Sequence, residues 1–199
     1  MDLHRSYREK KAEIIKRLKG FKLLSEEDLF YELCFCLLTP QSSAKRADWC
    51  IQELKKRNFK KNKFDPAPIL KQKIRFHNNK GKYLLEMMEK YNELKRELDR
   101  INDIKEKRGF LVNSVKGLGL KEAAHYLRNT GHENLAILDR HILKNLVKAN
   151  VIKELPKTLT KKKYFEIEEK FRKFSEKIKI PMDHLDLLFW SMETGEIFK

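Results

Sequence analysis

The 199-residue chain is poor in cysteine, proline and glycine. Its three cysteines, Cys34, Cys36 and Cys50, are too few for an iron–sulfur cluster, which needs four protein ligands. An odd number of cysteines in apolar, helical surroundings also argues against a disulfide framework and predicts buried thiols. Only five prolines and seven glycines interrupt a sequence rich in Lys, Glu, Leu and Ile. This composition favours an all-α fold.

Long hydrophobic runs are also missing. The longest apolar run, near residues 33–38, is far shorter than the roughly 18 residues that a membrane-spanning helix requires. No secretory signal pattern is visible either. We therefore expect an intracellular protein, cytoplasmic and associated with the nucleoid, with no membrane partner.

Negative charge is under-represented. The 45 Lys and Arg residues exceed the 29 Asp and Glu residues, which gives a net charge of +16 and a pI near 9.7. Adaptation to heat explains many charges of both signs, but it does not explain so large a surplus of one sign. A basic chain with aromatic residues scattered through it instead favours a nucleic-acid partner.

Apolar residues that recur with a helical period predict helices along most of the chain. A first helix is expected near residues 2–19, and Ser25 begins a second that Pro40 ends. Residues 57–68 and 75–83 are predicted to be a basic loop and a basic turn. The remaining predicted helices follow Ser43, run from 83 to 101, flank a glycine hairpin near 117, begin at Asp139, cover about 164–178, and run from Pro181 to near Gly195.

The segment from residue 104 to 142 says most about function. It predicts a helix, a Gly117-Leu-Gly119 hairpin and a second helix that begins at Lys121. Glycine permits backbone angles that let the amides of residues 117–120 point outward together, and such amides at a helix N-terminus bind phosphate. The positive end of the helix dipole should also lower the pKa of Lys121 and favour a nucleophilic amine. Asp139 follows 18 positions later.

This combination resembles the helix-hairpin-helix DNA glycosylase superfamily. Gly117-Leu-Gly-Leu-Lys121 matches the hairpin with its catalytic lysine, and Leu138-Asp-Arg-His141 matches the downstream aspartate motif. The lysine implies the bifunctional branch, which combines glycosylase and lyase activities. Missing cluster cysteines argue against the endonuclease III and adenine-mismatch branches. Chain length, motif positions and a last helix containing Trp190 are most similar to the compact 8-oxoguanine DNA glycosylase/lyases found mainly in archaea.

The resemblance covers essentially the whole chain and implies an all-α fold of two subdomains, with duplex DNA in the cleft between them. Residues 1–199 then form a single glycosylase unit. Its hairpin and catalytic subdomain spans about residues 102–150, and residues of about 1–101 and 151–199 form the remaining helical subdomain. The expected partner is double-stranded DNA that contains 8-oxoguanine or an abasic site, bound by a monomer.

The resemblance also assigns catalytic roles. Lys121 is the expected nucleophile, whose neutral amine attacks C1′ of the damaged nucleotide and forms a Schiff base. Asp139 is expected to stabilise positive charge on the sugar and to assist proton transfer. A phosphate contact is the alternative role for Lys121, and helix capping alone is the alternative for Asp139. His141 matches a position near a DNA phosphate, although a surface or packing role is open.

A base inside a duplex is out of reach, so the damaged nucleotide must be flipped into a pocket. The resemblance places Phe76 and Trp190 beside that pocket and gives the C-terminal Lys199 a part in recognising the oxidised base. Gln41 and Ser42 are predicted to contact the edge of the base. Phe76 and Trp190 can instead belong to the core, and Gln41 can simply form a turn.

Further DNA contacts are expected from the basic turn at residues 75–83. His77, Asn78 and Asn79 are predicted to fill the gap that the flipped base leaves, and Lys80 is predicted to bind DNA beside them. No cofactor and no metal ligands are expected, apart from a possible structural monovalent cation at the hairpin carbonyls. Two other functions stay open: a glycosylase/lyase for oxidised pyrimidines, and a helix-hairpin-helix module that only binds DNA.

Overall fold

The computed structural model describes residues 2–199, and α-helices are the regular secondary structure throughout that range. No helix of this range is both long enough and apolar enough to cross a membrane. In chain order the helices are α1 (Leu3–Phe21), α2 (Glu26–Leu38), α3 (Ala44–Lys56), α4 (Phe59–Asn62), α5 (Ala67–Leu70), α6 (His77–Arg100), α7 (Ile104–Ser114), α8 (Leu120–Asn129), α9 (Arg140–Lys148), α10 (Lys161–Lys177) and α11 (Met182–Thr194).

Most helix ends follow the local sequence signals. The Ser25 side chain accepts a hydrogen bond from the amide of Asp28, which satisfies one of the free amides at the start of α2. Ser43 caps α3 in the same way. The last helix begins after Pro181 and ends at Gly195, whose φ of 88° is readily adopted only by glycine. The predictions of an all-α fold and of these helix boundaries are confirmed.

Two basic segments are more helical than predicted. Residues 57–68, expected to be a loop, contain α4 and the first two residues of α5. Helix α4 forms because Phe59 is buried against the Phe30 ring. The basic turn predicted at residues 75–83 is also wrong, since α6 already begins at His77. Phe76 is the residue immediately before this helix, at its N-cap position, and has a left-handed φ of 58°. His77, Asn78 and Asn79 consequently form the first turn of α6 and not the tip of a turn.

The chain divides within α8 into two compact units. The central unit is Leu24–Tyr126, and the terminal unit combines the residues up to Leu23 with Leu127–Lys199. Neither coincides with the catalytic subdomain predicted at about 102–150, which stays a prediction.

Helix α2 forms the centre of the central unit. Its residues from Phe30 to Leu38 are buried, and α2 packs against α3 and α6. The three cysteines are free and buried, as predicted. Burial raises the pKa of Cys50 to about 11, so this thiol stays protonated and unreactive at neutral pH.

Helix α11 forms the centre of the terminal unit. It packs against α1, α9 and α10, and its residues from Leu185 to Phe189 are buried. The Tyr7 hydroxyl and His184 Nδ1, 2.7 Å apart, join α1 to α11. The two ends of the chain therefore share one core.

A buried ion pair lies inside the terminal unit. Arg128 Nη1 is 3.2 Å from Asp186 Oδ2, and the Arg128 guanidinium also lies 5.2 Å from the centre of the Phe21 ring. Burial raises the pKa of Asp186 to about 7, although the charge of Arg128 acts in the opposite direction. The charges of Asp139 and Asp183 raise the pKa of Asp186 further.

Replacing Arg128 with Leu is expected to lower the free energy of unfolding by about 3 kcal/mol at pH 8, because Asp186 then lacks its buried cation. The pKa of Asp186 is higher in the folded than in the unfolded chain, so the folded state binds more protons between pH 4 and 7 and its stability falls as the pH rises. Removing Arg128 should steepen this fall. The loss at pH 5, where Asp186 is protonated, is therefore expected to be smaller.

Denaturant unfolding at pH 5 and pH 8 measures both effects. Arg172→Leu is the matched control, because the ion pairs of Arg172 on α10 are exposed and its replacement should cost at most about 1 kcal/mol at either pH. Equal losses at the two pH values for Arg128→Leu would contradict the proposed dependence on Asp186.

Candidate active site

Helices α7 and α8 are joined by the predicted glycine hairpin. Gly117 has a φ of 89°, and a Cβ atom at this position would lie 2.5 Å from Cδ2 of Tyr83 on α6. Both the backbone angle and the close approach therefore require glycine here. Gly119 does not have a positive φ, so the predicted reason for glycine is wrong at this second position.

The amides of the hairpin are only partly available for a phosphate. The Leu118 amide donates to the Val115 carbonyl at 3.1 Å, which corrects the prediction that all amides of residues 117–120 point outward together. The first amides of α8, from Leu120 onward, have no acceptor within their own helix because of helix geometry. These amides keep the predicted capacity to bind an anion.

Lys121 lies at the start of α8, as predicted, although the helix begins one residue earlier at Leu120, and its side chain is 24% exposed. Its Nζ atom lies 2.8 Å from Oε1 of Glu122, whose side chain is more deeply buried. The absence of a side chain at Gly119 makes room for this carboxylate, since a Cβ atom there would lie 2.9 Å from Glu122 Oε2. The hairpin thus presents an amine that is reachable from solvent, with a carboxylate beside it.

Lys80 differs from its prediction. The residue is 5% exposed, and its Nζ atom donates to the carbonyls of Leu38 and Pro40 at 2.8 and 2.6 Å and to Ser42 Oγ at 3.2 Å. Burial, followed by the charge of Lys121, lowers the pKa of Lys80 to about 8. An ammonium that is enclosed in this way cannot also reach a DNA phosphate, so the DNA-binding role predicted for Lys80 is corrected.

The predicted base-contacting residues of the central unit lie on two segments that Lys80 links. Gln41, with a φ of 54°, and Ser42 form the turn between α2 and α3, where Gln41 is exposed. Phe76 precedes α6 and is 52% exposed, so it does not belong to the core. Asn78 and Asn79, on the first turn of α6, are exposed. A role for these residues in filling the gap left by a flipped base stays a prediction.

Asp139 lies in the terminal unit and caps α9. Its Oδ1 atom accepts a hydrogen bond from the Ile142 amide at 2.8 Å, so the predicted capping role is confirmed. The stretch before it, residues 135–138, is buried. Helix α10 holds this stretch in place, because Glu168 accepts from the Ala136 amide at 2.9 Å and the Tyr164 hydroxyl donates to the Ala136 carbonyl.

The other predicted residues of the terminal unit are His141, Trp190 and Lys199. His141 is partly exposed on the first turn of α9. The partly exposed Trp190 ring stacks on the Phe198 ring, with centroids 6.0 Å apart. Arg17 on α1 donates to the Phe198 carbonyl. The segment before Lys199 is therefore docked on the fold, as its apolar residues predicted.

Within residues 2–199, no cluster of three or more His, Cys, Asp or Glu residues is arranged to hold a metal ion. The monovalent cation at the hairpin carbonyls stays a prediction.

A family model described as 8-oxoguanine DNA glycosylase matches residues 12–180. The chain belongs to this family. The predicted membership of the helix-hairpin-helix glycosylases is therefore confirmed over most of the chain.

Relatives within the 8-oxoguanine DNA glycosylase family match over nearly their full lengths. The 8-oxoguanine DNA glycosylase/AP lyase of Fusobacterium nucleatum is 47% identical, over 100% of this chain and 96% of that protein. The Methanocaldococcus jannaschii 8-oxoguanine glycosylase/lyase, crystallised with a 15mer DNA containing 8-oxoguanine, is 34% identical with a TM-score of 0.88, over 100% of both chains. The crystal structure of the 8-oxoguanine DNA glycosylase of Thermotoga maritima has a TM-score of 0.88 at 35% identity, over 100% of this chain and 97% of that chain.

Two features of the site in this family member were not found from the sequence. Glu122 had no predicted role, because adjacent residues on a helix do not normally face each other. The only available signal was its acidic charge in the first turn of α8, where the helix dipole favours it. The enclosure of Lys80 had no signal at all, since its acceptors lie about 40 positions earlier in the chain.

Proposed function

We propose that this protein is a bifunctional 8-oxoguanine DNA glycosylase/AP lyase. It removes 8-oxoguanine from duplex DNA and then cleaves the strand at the resulting abasic site. The observation that carries the proposal is Lys121, a solvent-reachable lysine in the first turn of the second hairpin helix. Family membership and the names of relatives such as the Fusobacterium nucleatum 8-oxoguanine DNA glycosylase/AP lyase support the substrate and both activities.

In the proposed reaction, the neutral amine of Lys121 attacks C1′ of the damaged nucleotide. A nitrogen–carbon bond forms, the glycosidic bond breaks, and the departing base takes the bonding electrons and a proton. The sugar opens to a Schiff base on Lys121. Loss of a proton from C2′ then expels the 3′ phosphate by β-elimination, and hydrolysis of the Schiff base releases the enzyme.

Asp139 is proposed to stabilise the positive charge that develops on the sugar as the glycosidic bond breaks, and to assist proton transfer. Its carboxylate already accepts the Ile142 amide, and this hydrogen bond holds it in a defined orientation at the start of α9. Ordering a catalytic group in the free protein reduces the reorganisation that the reaction requires.

Phe76 and Trp190 are each proposed to contact the flipped base, and Gln41, Ser42 and Lys199 are proposed to contact its edges. The exposure of Phe76 supports this assignment, since 52% of this side chain at the start of α6 is open to solvent and accessible to a base. His141, and the amides of Gly117 and Gly119, are proposed to contact DNA phosphates. The partner is duplex DNA in the cytoplasm, bound by a monomer.

The proposal is tested by borohydride trapping on three duplexes, which contain 8-oxoguanine, an oxidised pyrimidine or a plain abasic site. Borohydride reduces a Schiff base to a stable covalent adduct, so gel electrophoresis reports attack by a lysine. Adducts with the 8-oxoguanine and abasic duplexes are expected. Trapping on the oxidised-pyrimidine and abasic duplexes alone would change the substrate, and binding without any adduct would favour a DNA-binding module.

A further inference from the structure

Lys80 joins two segments of the central unit that are distant in sequence. It lies on the first turns of α6, four residues after Phe76, and its side chain reaches the turn between α2 and α3. All three hydrogens of the ammonium have acceptors, on Leu38, Pro40 and Ser42. One side chain thus holds together the start of the helix that carries Phe76 and the turn that carries Gln41.

The turn between α2 and α3 needs such a partner. The Leu38 carbonyl belongs to the last residue of α2, where helix geometry leaves carbonyls without an amide donor inside the helix. Pro40 has no amide hydrogen to contribute to the turn. Gln41 adopts a left-handed φ of 54°, which is unfavourable for a residue with a side chain. A cation at the negative end of the α2 dipole stabilises this turn, because it donates to the Leu38 and Pro40 carbonyls.

The burial of Lys80 indicates a functional role and not only a contribution to the stability of the fold. Removing an ammonium from water is unfavourable, and apolar side chains in the same volume often stabilise a fold equally well. The charge of Lys121 contributes to the lowered pKa of Lys80, so the buried ammonium lies within electrostatic reach of the proposed nucleophile. A fixed turn next to that amine is suited to recognition of a base.

We propose that Lys80 is a specificity-determining positioning residue, whose ammonium fixes the turn of residues 38–42 so that Gln41 and Ser42 can contact the edge of the flipped 8-oxoguanine. This inference rests on the proposed function. It assigns Lys80 to recognition of the base and not to attack on the sugar. Excision of 8-oxoguanine and cleavage at a plain abasic site, where no base is present, should therefore depend differently on Lys80.

The test compares Lys80→Met, which keeps an unbranched side chain one atom shorter and removes its hydrogen bonds, with the wild-type protein. Single-turnover excision of 8-oxoguanine is expected to slow by about 10²-fold, the effect of a small misplacement of a positioning group. Lyase cleavage of a plain abasic duplex is expected to stay at the wild-type rate. Active protein is titrated by trapping on abasic DNA, so a partly unfolded sample does not distort the comparison.

Lys90→Met is the matched control, because Lys90 is an exposed lysine on the same helix α6, outside the segment of residues 75–83. It should leave both activities unchanged. Lys80→Gln provides a second, uncharged polar variant in case Lys80→Met folds poorly, and the same separation of activities is expected from it.

Equal slowing of excision and abasic-site cleavage would overturn the proposal, because Lys80 would then act on Lys121 or on the fold as a whole. Loss of folding in both variants would overturn it too, since Lys80 would be a structural residue. Wild-type protein that cleaves abasic DNA without excising 8-oxoguanine would instead refute the proposed substrate, which is a different result from any effect of Lys80.

Discussion

Lys121→Gln is expected to abolish the borohydride-trapped adduct and to slow strand cleavage by at least about 10³-fold, the scale on which loss of a nucleophile acts. The amide of Gln is not nucleophilic, so no Schiff base can form. The Lys121 side chain is partly exposed, and its ion pair joins it only to the adjacent Glu122 on the same helix turn, so the fold should tolerate the change. Binding to a duplex containing 8-oxoguanine should persist.

Lys105→Gln is a well-matched control. Lys105 is the second residue of α7, just as Lys121 is the second residue of α8, and it is exposed. The control should retain trapping, cleavage and binding. A persistent adduct in Lys121→Gln would mean that another amine attacks the sugar, and loss of binding together with cleavage would support the phosphate-contact alternative.

The second large effect is expected from Asp139→Asn, which should lower the rate of base excision by about 10²- to 10⁴-fold, the usual contribution of a group that assists proton transfer. Thermal stability should not fall, because Asn caps a helix about as well as Asp. The variant keeps the hydrogen bond to the Ile142 amide and removes only the charge. Asp139→Ala should lose activity and also about 1 kcal/mol of stability.

Asp103→Asn separates the two roles of the carboxylate. Asp103 caps α7 by accepting from the amides of Lys105 and Glu106, so it matches Asp139 as a capping aspartate without a proposed catalytic role. Its replacement should change neither activity nor stability. If Asp139→Asn excised 8-oxoguanine at the wild-type rate, capping alone would explain the aspartate.

Features that depend on neighbouring residues were predictable from the sequence. The hairpin, the position of Lys121 at the start of α8 and the capping by Asp139 each follow from a short segment of chain. The buried stripe of α6, from Leu84 to Leu98, follows from its helical period in the same way.

Features that depend on distant contacts were not predictable. Lys80 was placed on an exposed basic turn because its neighbours are polar, yet its acceptors come from the turn after α2. The left-handed φ of Phe76, which starts α6 earlier than predicted, has no sequence signature in a bulky residue. In both cases tertiary packing overrides the local pattern.

The order of synthesis has a consequence for the core that the chain ends share. Residues 24–126 leave the ribosome as one uninterrupted segment, but α1 must wait for its partner α11. At about 5–20 residues per second, that delay is about 10–30 s. Throughout this interval the apolar side of α1, with Ile14 and Phe21, lacks its covering helix and is open to chaperones. The terminal unit is therefore assembled only after translation of α11, while the segment with the hairpin can fold ahead of it.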